Sequence, residues 1–106
     1  RKEFEERTIE HARRLGVKHR RITVRDTASR WGSCSAKGSL SYSWRLILAP
    51  AFVLDYVVAH EVPHMREMNH GPAFWKLVRD LVGAPRKAQS WLRDHGAALH
   101  RYAPKG

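Results

Sequence analysis

Cysteine occurs once in the 106 residues, as Cys34. No disulfide within the chain can therefore staple the fold, which agrees with a reducing compartment. Long apolar runs are missing as well. Nothing approaches the roughly 20 consecutive apolar residues of a membrane span, and the opening RKEFEERTIEHARR lacks the apolar core of a signal peptide. These two absences lead us to expect a soluble, cytoplasmic protein. There is no internal repeat and no low-complexity tract, so nothing points to a repeat architecture.

Acidic residues are scarce. Ten Asp and Glu stand against 20 Lys and Arg, giving a formal net charge of +10, and 12 of the 20 basic residues lie in the first 50 positions. A one-sided positive field of this kind attracts nucleic acid or acidic protein surfaces through counterion release and steering. A solvated basic surface that only keeps the protein soluble accounts for it equally well. The length fits one domain, residues 1–106, with a single modest core that any active site must share. The chain opens at Arg1 and closes on the polar Ala103-Pro104-Lys105-Gly106, which reads as a piece of a longer protein.

What is present is ordered as a helix, strands, then helices, an α+β pattern rather than an alternating α/β one. From Arg1 to about Leu15, Phe4, Thr8, Ile9, Ala12 and Leu15 recur at three- and four-residue intervals, which predicts an amphipathic helix ended by Gly16. RRITVRDT alternates Ile22 and Val24 with charged residues and reads as a strand. Residues 29–48 read as an antiparallel pair turning near Lys37-Gly38, with Leu40, Tyr42 and Trp44 alternating on the second strand. Pro50 opens a strongly apolar helix, AFVLDYVVAHEVPHMRE, which belongs in the centre of the domain. Two more helices follow: one from Pro72 to Gly83 with Phe74, Trp75, Leu77, Val78, Leu81 and Val82 on its buried face, and one from about Pro85 to Tyr102, interrupted or bent at Gly96.

The chemistry is concentrated in HEVPHMREMNH, residues 60–70. His60 and His64 are four apart, so on a helix both imidazoles project from one face, close enough to grip one ion. Glu61 then lies where its carboxylate reaches a water beside the metal without being a ligand, as a general base does in HExxH hydrolases. His70 follows a turn, Asn69-His70-Gly71-Pro72, that can bring a third ligand back toward the helix. A charged Glu61 and two histidines inside so apolar a helix would be costly to bury without a partner, and that cost favours a metal site over incidental histidines.

RWGSCSAKGSLSYSWRLILAP, LDYVVAHEVPHM and MNHGPAFW together resemble the YgjP-like metallopeptidase domain and, more distantly, the SprT-like and WLM zinc peptidases. The resemblance runs by motif from about Val24 to Trp75. It implies a minimal zincin with an N-terminal helix, a small three-stranded sheet, the HExxH helix and two C-terminal helices. It also implies Zn2+ held by His60, His64 and His70, Glu61 as the catalytic carboxylate, and a peptide or protein substrate laid along the strand near Ser39 to Trp44. The alternative reading is a basic nucleic-acid-binding module, with Trp31, Trp44, Trp75 and Trp91 as stacking surfaces, with or without peptidase activity on nucleic-acid-bound proteins.

Pro63 departs from the motif, which leads us to expect Ala, Gly or Cys there. A proline cannot donate to the carbonyl of Ala59 and disfavours helical geometry at Val62, at an interior cost of about 3 kcal/mol. A bent helix and impaired activity are the expectation. Cys34 reads as a small packed residue before it reads as a nucleophile. Arg30 could orient a substrate carboxylate or phosphate, or sit in a surface ion pair. Tyr42, Tyr56 and Tyr102 could each donate to an oxyanion, and the sequence does not choose among them.

Overall fold

The amphipathic opening folds as the first helix of a computed structural model that describes residues 2–27 and 30–101; Arg1, Ser29 and Tyr102, named above, lie outside the described residues. Helix α1 spans Lys2–Leu15 and buries Phe4, Thr8, His11 and Ala12, one stripe at helical spacing. Ile9, expected inside, is 54% exposed. His11 takes its place because Asp55 supplies the partner a buried imidazole needs, at 2.8 Å.

Three short strands follow: β1 (Arg21–Arg25), β2 (Gly32–Cys34) and β3 (Ser39–Ser43). The expected antiparallel pair is β2 with β3, Ser33 opposite Ser41. Gly38, at φ +91°, makes the turn between them and donates its N–H to Ser35, a left-handed conformation that favours glycine. β1 pairs with β3 in parallel, so the order is β1-β3-β2 and β3 is central. That overturns the expectation for substrate: β3 has its backbone paired on both sides, and the open edges belong to β1 and β2, of which β2 lies against Glu61. Trp44 does not extend β3. Ser43 caps a 3-10 turn, Trp44–Leu48, accepting from the N–H of Arg45.

Leu40 and Tyr42 are 1% exposed and point from β3 into the core, where Tyr42 stacks on Phe4 at 5.1 Å and shares a 3.0 Å hydrogen bond with Thr8. Burying each such ring contributes about 1.5 to 3 kcal/mol. Helix α2, Ala51–Glu61, runs through the middle as its apolar composition requires, with Val53, Leu54, Val57, Val58 and Ala59 buried. Helix α3, Pro72–Val82, starts at a proline as expected and buries Phe74, Val78 and Leu81. Its last carbonyls, those of Asp80 and Leu81, accept from the Arg14 guanidinium at 2.8 and 2.9 Å, which ties α1 to the negative end of α3.

Helix α4 spans Arg86–Arg101 without a break, so Gly96 neither interrupts nor bends it. A side chain at Gly96 would stand 3.3 Å from the Trp31 ring, and the glycine lets α4 approach that indole. Four helices and a small mixed sheet thus make an α+β fold. Among the described residues no helix is long and apolar enough to cross a membrane.

Candidate metal centre and active-site cleft

The α-helical ladder of α2 ends where Pro63 forbids its continuation. Val62 still donates to Val58, and the chain then tightens into a 3-10 turn, Val62–Met65, with Pro63 in its first residues. Val62 nonetheless keeps helical angles, φ −57° and ψ −43°, against the expectation. The carbonyl of Pro63 accepts from Arg66 and Glu67, each at 2.9 Å, so the turn is hydrogen-bonded on its own account. His60 therefore stands on the last turn of α2 and His64 on the tighter turn after it.

His70 comes back from the following loop. One nitrogen of each of His60, His64 and His70 lies within 4.8 Å of the others. The Nε2 atoms of His64 and His70 are 3.1 Å apart. Nitrogens bound to a tetrahedral zinc at about 2.0 to 2.1 Å stand roughly 3.3 Å apart, so this pair already has ligand spacing and the trio closes with about 1 to 2 Å of side-chain movement.

The tautomers agree with that use. The His64 Nδ1 contacts the carbonyl of Glu67 at 3.0 Å. A carbonyl can only accept, so Nδ1 carries the proton and the Nε2 lone pair faces His70. The His60 Nδ1 lies 3.3 Å from Glu61 Oε2, which leaves its Nε2 free in the same way. Loss of solvation, then the nearness of His60 and His64, pushes His70 below the ordinary histidine range and favours the neutral ring that binds metals.

Phe74 is the shared wall of the three imidazoles. It is fully buried, stacks on His64 at 4.5 Å, and meets His60 and His70 edge-on at 5.1 and 4.8 Å. Trp75 flanks His60 at 5.7 Å. The sequence marked both rings as a buried helix face; their contact with the histidines was not legible because the angle at which α3 crosses α2 is a tertiary property.

Glu61 is 7% exposed and faces β2. A Cβ at Gly32 would sit 3.0 Å from its Cγ and 3.1 Å from the Ser41 carbonyl. Gly32 is therefore needed for clearance, a role that nothing in the local sequence announces. Arg30, Trp31, Tyr56 and Leu92 complete with Gly32, His60 and Glu61 a cleft of about 300 Å³. Of the candidate tyrosines described, Tyr42 is spent in the core, whereas Tyr56 lines the cleft and its oxygen accepts from Gln89 at 3.1 Å. Burial, then the charge of Glu61, pushes the Cys34 thiol up to about 12, so it is not a thiolate nucleophile. Each of the four indoles packs against its own chain: Trp31 on His100, Trp44 under Arg45, Trp75 on His60 and Trp91 on His95.

The same fold is found in the metallopeptidase zymogen of Pyrococcus abyssi abylysin, with a TM-score of 0.72 at 18% identity over 88% of this chain and 92% of that one. At that identity the likeness establishes the architecture, a compact zincin-like α+β fold. None of the curated proteins compared with the chain matches it. The family model of the YgjP-like metallopeptidase domain matches residues 1–95, and the chain belongs to that family.

Proposed function

We propose that the protein is a zinc-dependent peptidase in which His60, His64 and His70 hold the metal and Glu61 is the general base. The observation that carries this reading is the convergence of three imidazole nitrogens within 4.8 Å, beside a carboxylate that does not join them. Zinc in such a site supplies a Lewis acid that polarises the scissile carbonyl and acidifies water.

The chain's own residues do the rest. Trp31 accepts from Ser43 and Ser35 donates to Ser39, so in the alternating ladder the peptide groups of Gly32 and Cys34 face away from β3. An extended substrate pairs there, on the open edge of β2. Glu61, held against Gly32, takes the proton of the attacking water and returns it to the leaving amine. Tyr56, whose oxygen is already engaged by Gln89, has its own proton to give to the carbonyl oxygen.

Glu61→Gln tests the assignment, because it removes the base and keeps the shape. We expect peptide hydrolysis to fall by about 10²- to 10⁴-fold with zinc content unchanged. Retained hydrolysis would refute Glu61 as the base, and loss of zinc would show the carboxylate to be a ligand instead.

A further inference from the structure

A second concavity, of about 220 Å³, adjoins the cleft on the outer side of the sheet. Arg30 and Gly32 are walls of both hollows, so a peptide lying along β2 past Glu61 comes within reach of the second. Its surface is small and polar because of strand alternation. Leu40 and Tyr42 point into the core, which puts Ser41 on the opposite face, directly across from Ser33. Arg25, the last residue of β1, faces Ser43 in register and closes the far side.

Arg25 and Arg30 thus both line one recess, and neither has a carboxylate partner among the described residues. The acid next to them in sequence, Asp26, is already engaged by Arg45. The Thr27 hydroxyl donates to the carbonyl of Arg30 at 2.8 Å, which ties the backbone at Arg30 to Thr27. A guanidinium offers a fork of donors matched to a carboxylate, and serine hydroxyls can fill the remaining acceptor positions. The volume, about seven waters' worth, suits one side chain. A nucleic-acid backbone presents its phosphates along a convex rod, which a recess beside a cleft fits poorly.

We propose that this recess is a substrate subsite selecting an acidic side chain, Asp or Glu, in the peptide bound along β2. The inference rests on the peptidase reading above. Its test is a set of fluorogenic peptides in which Glu, Gln or Lys is placed in turn at each position flanking the scissile bond. At one position Glu should exceed Gln in kcat/KM by about tenfold or more, mainly through KM. Arg25→Gln should erase most of that preference and Arg25→Glu should turn it toward Lys, with zinc content and thermal midpoint reporting the fold. A preference that survives both Arg25→Gln and Arg30→Gln, or no preference for Glu over Gln at any position, would overturn the proposal.

The zinc-loaded Glu61→Gln protein, titrated with the same peptides, separates the two readings. If the wild type cleaves none of them while the Glu peptide still binds this variant more tightly than the Gln peptide through Arg25, the subsite stands and the peptidase assignment falls. Equal binding of the two peptides sinks the subsite. Binding of a single-stranded oligonucleotide that depends on Arg25, with no preference between Glu and Gln peptides, would also overturn it, in favour of a phosphate contact.

Discussion

Helix α2 carries two histidine-containing clusters near its two ends, and they are built oppositely. Near its start Asp55 receives His11 at 2.8 Å and Arg7 at 3.2 Å, so one carboxylate answers one imidazole and one guanidinium. At its end three imidazoles converge, with Glu61 Oε2 3.3 Å from the Nδ1 of His60. The first cluster is tied through one shared carboxylate, which holds α1 on α2. The second is open. The Nε2 atoms of His64 and His70 meet at 3.1 Å, a spacing that a shared cation would also satisfy. One imidazole tied to a carboxylate on a neighbouring helix serves the packing, whereas three that converge bring together the donor set a cation would need.

The sharpest way to break this contrast is to remove the ring that organises only the open cluster. Phe74→Ala should cost about 3 to 5 kcal/mol of stability, measured by denaturant unfolding, because it empties a fully buried site. Zinc affinity should fall with it, since His64 loses the face it stacks on. Unchanged zinc affinity in the folded variant would show that the histidines do not depend on α3 for their placement.

The first cluster should respond through stability alone. Asp55→Asn is expected to cost about 1 to 3 kcal/mol, the value of hydrogen bonds to a charged group, with zinc affinity unaltered. Burial works against the Asp55 carboxylate, but His11 and then Arg7 outweigh it and hold the carboxyl below its ordinary value of 3.8. Its unfolded form therefore binds protons at higher pH than its folded form. The stabilisation is complete above the ordinary value and is lost as pH falls through the lower, folded one. Acid unfolding curves of wild type and Asp55→Asn should accordingly converge at low pH; curves that stay parallel would contradict the pairing.

Pro63→Ala carries the smallest expected effect. In an uninterrupted helix the substitution would recover about 3 kcal/mol. Here the chain has already left the α-helix after Glu61, and Pro63 occupies the opening of a hydrogen-bonded 3-10 turn, where proline is tolerated. A gain of no more than about 1 kcal/mol in unfolding free energy follows. A gain near the full interior penalty would mean that the turn is a strained helix rather than a settled alternative.

The two clusters also differ in how far they were readable. His60, Glu61, His64 and His70 could be singled out because their spacing is local and the helix around them is apolar, so their polarity stood out. The pair of His11 and Asp55 spans 44 positions and left no local trace; the same helical period that placed Phe4 and Ala12 inside placed Ile9 there wrongly. The sheet shows the same limit. Turn chemistry at Gly38 announced the β2–β3 pair, but nothing in RITVR states that it joins β3 in parallel, and β3 was taken for a strand with a free edge as a result. Gly96 was taken for a break or bend in the last helix, and Gly32 was given no role. Both are there for clearance, against Glu61 and Trp31, which only the packed chain reveals.

A peptidase of this kind requires the open cluster to bind metal through its imidazoles. X-ray absorption at the zinc edge, on protein loaded with one equivalent of zinc, tests that most directly, with His70→Ala beside the wild type. We expect three imidazole nitrogens at about 2.0 to 2.1 Å with one lighter oxygen donor in the wild type, and two imidazoles with markedly weaker binding in the variant. A wild-type spectrum with carboxylate in place of the third imidazole, or His70→Ala protein that retains zinc undiminished, would contradict it.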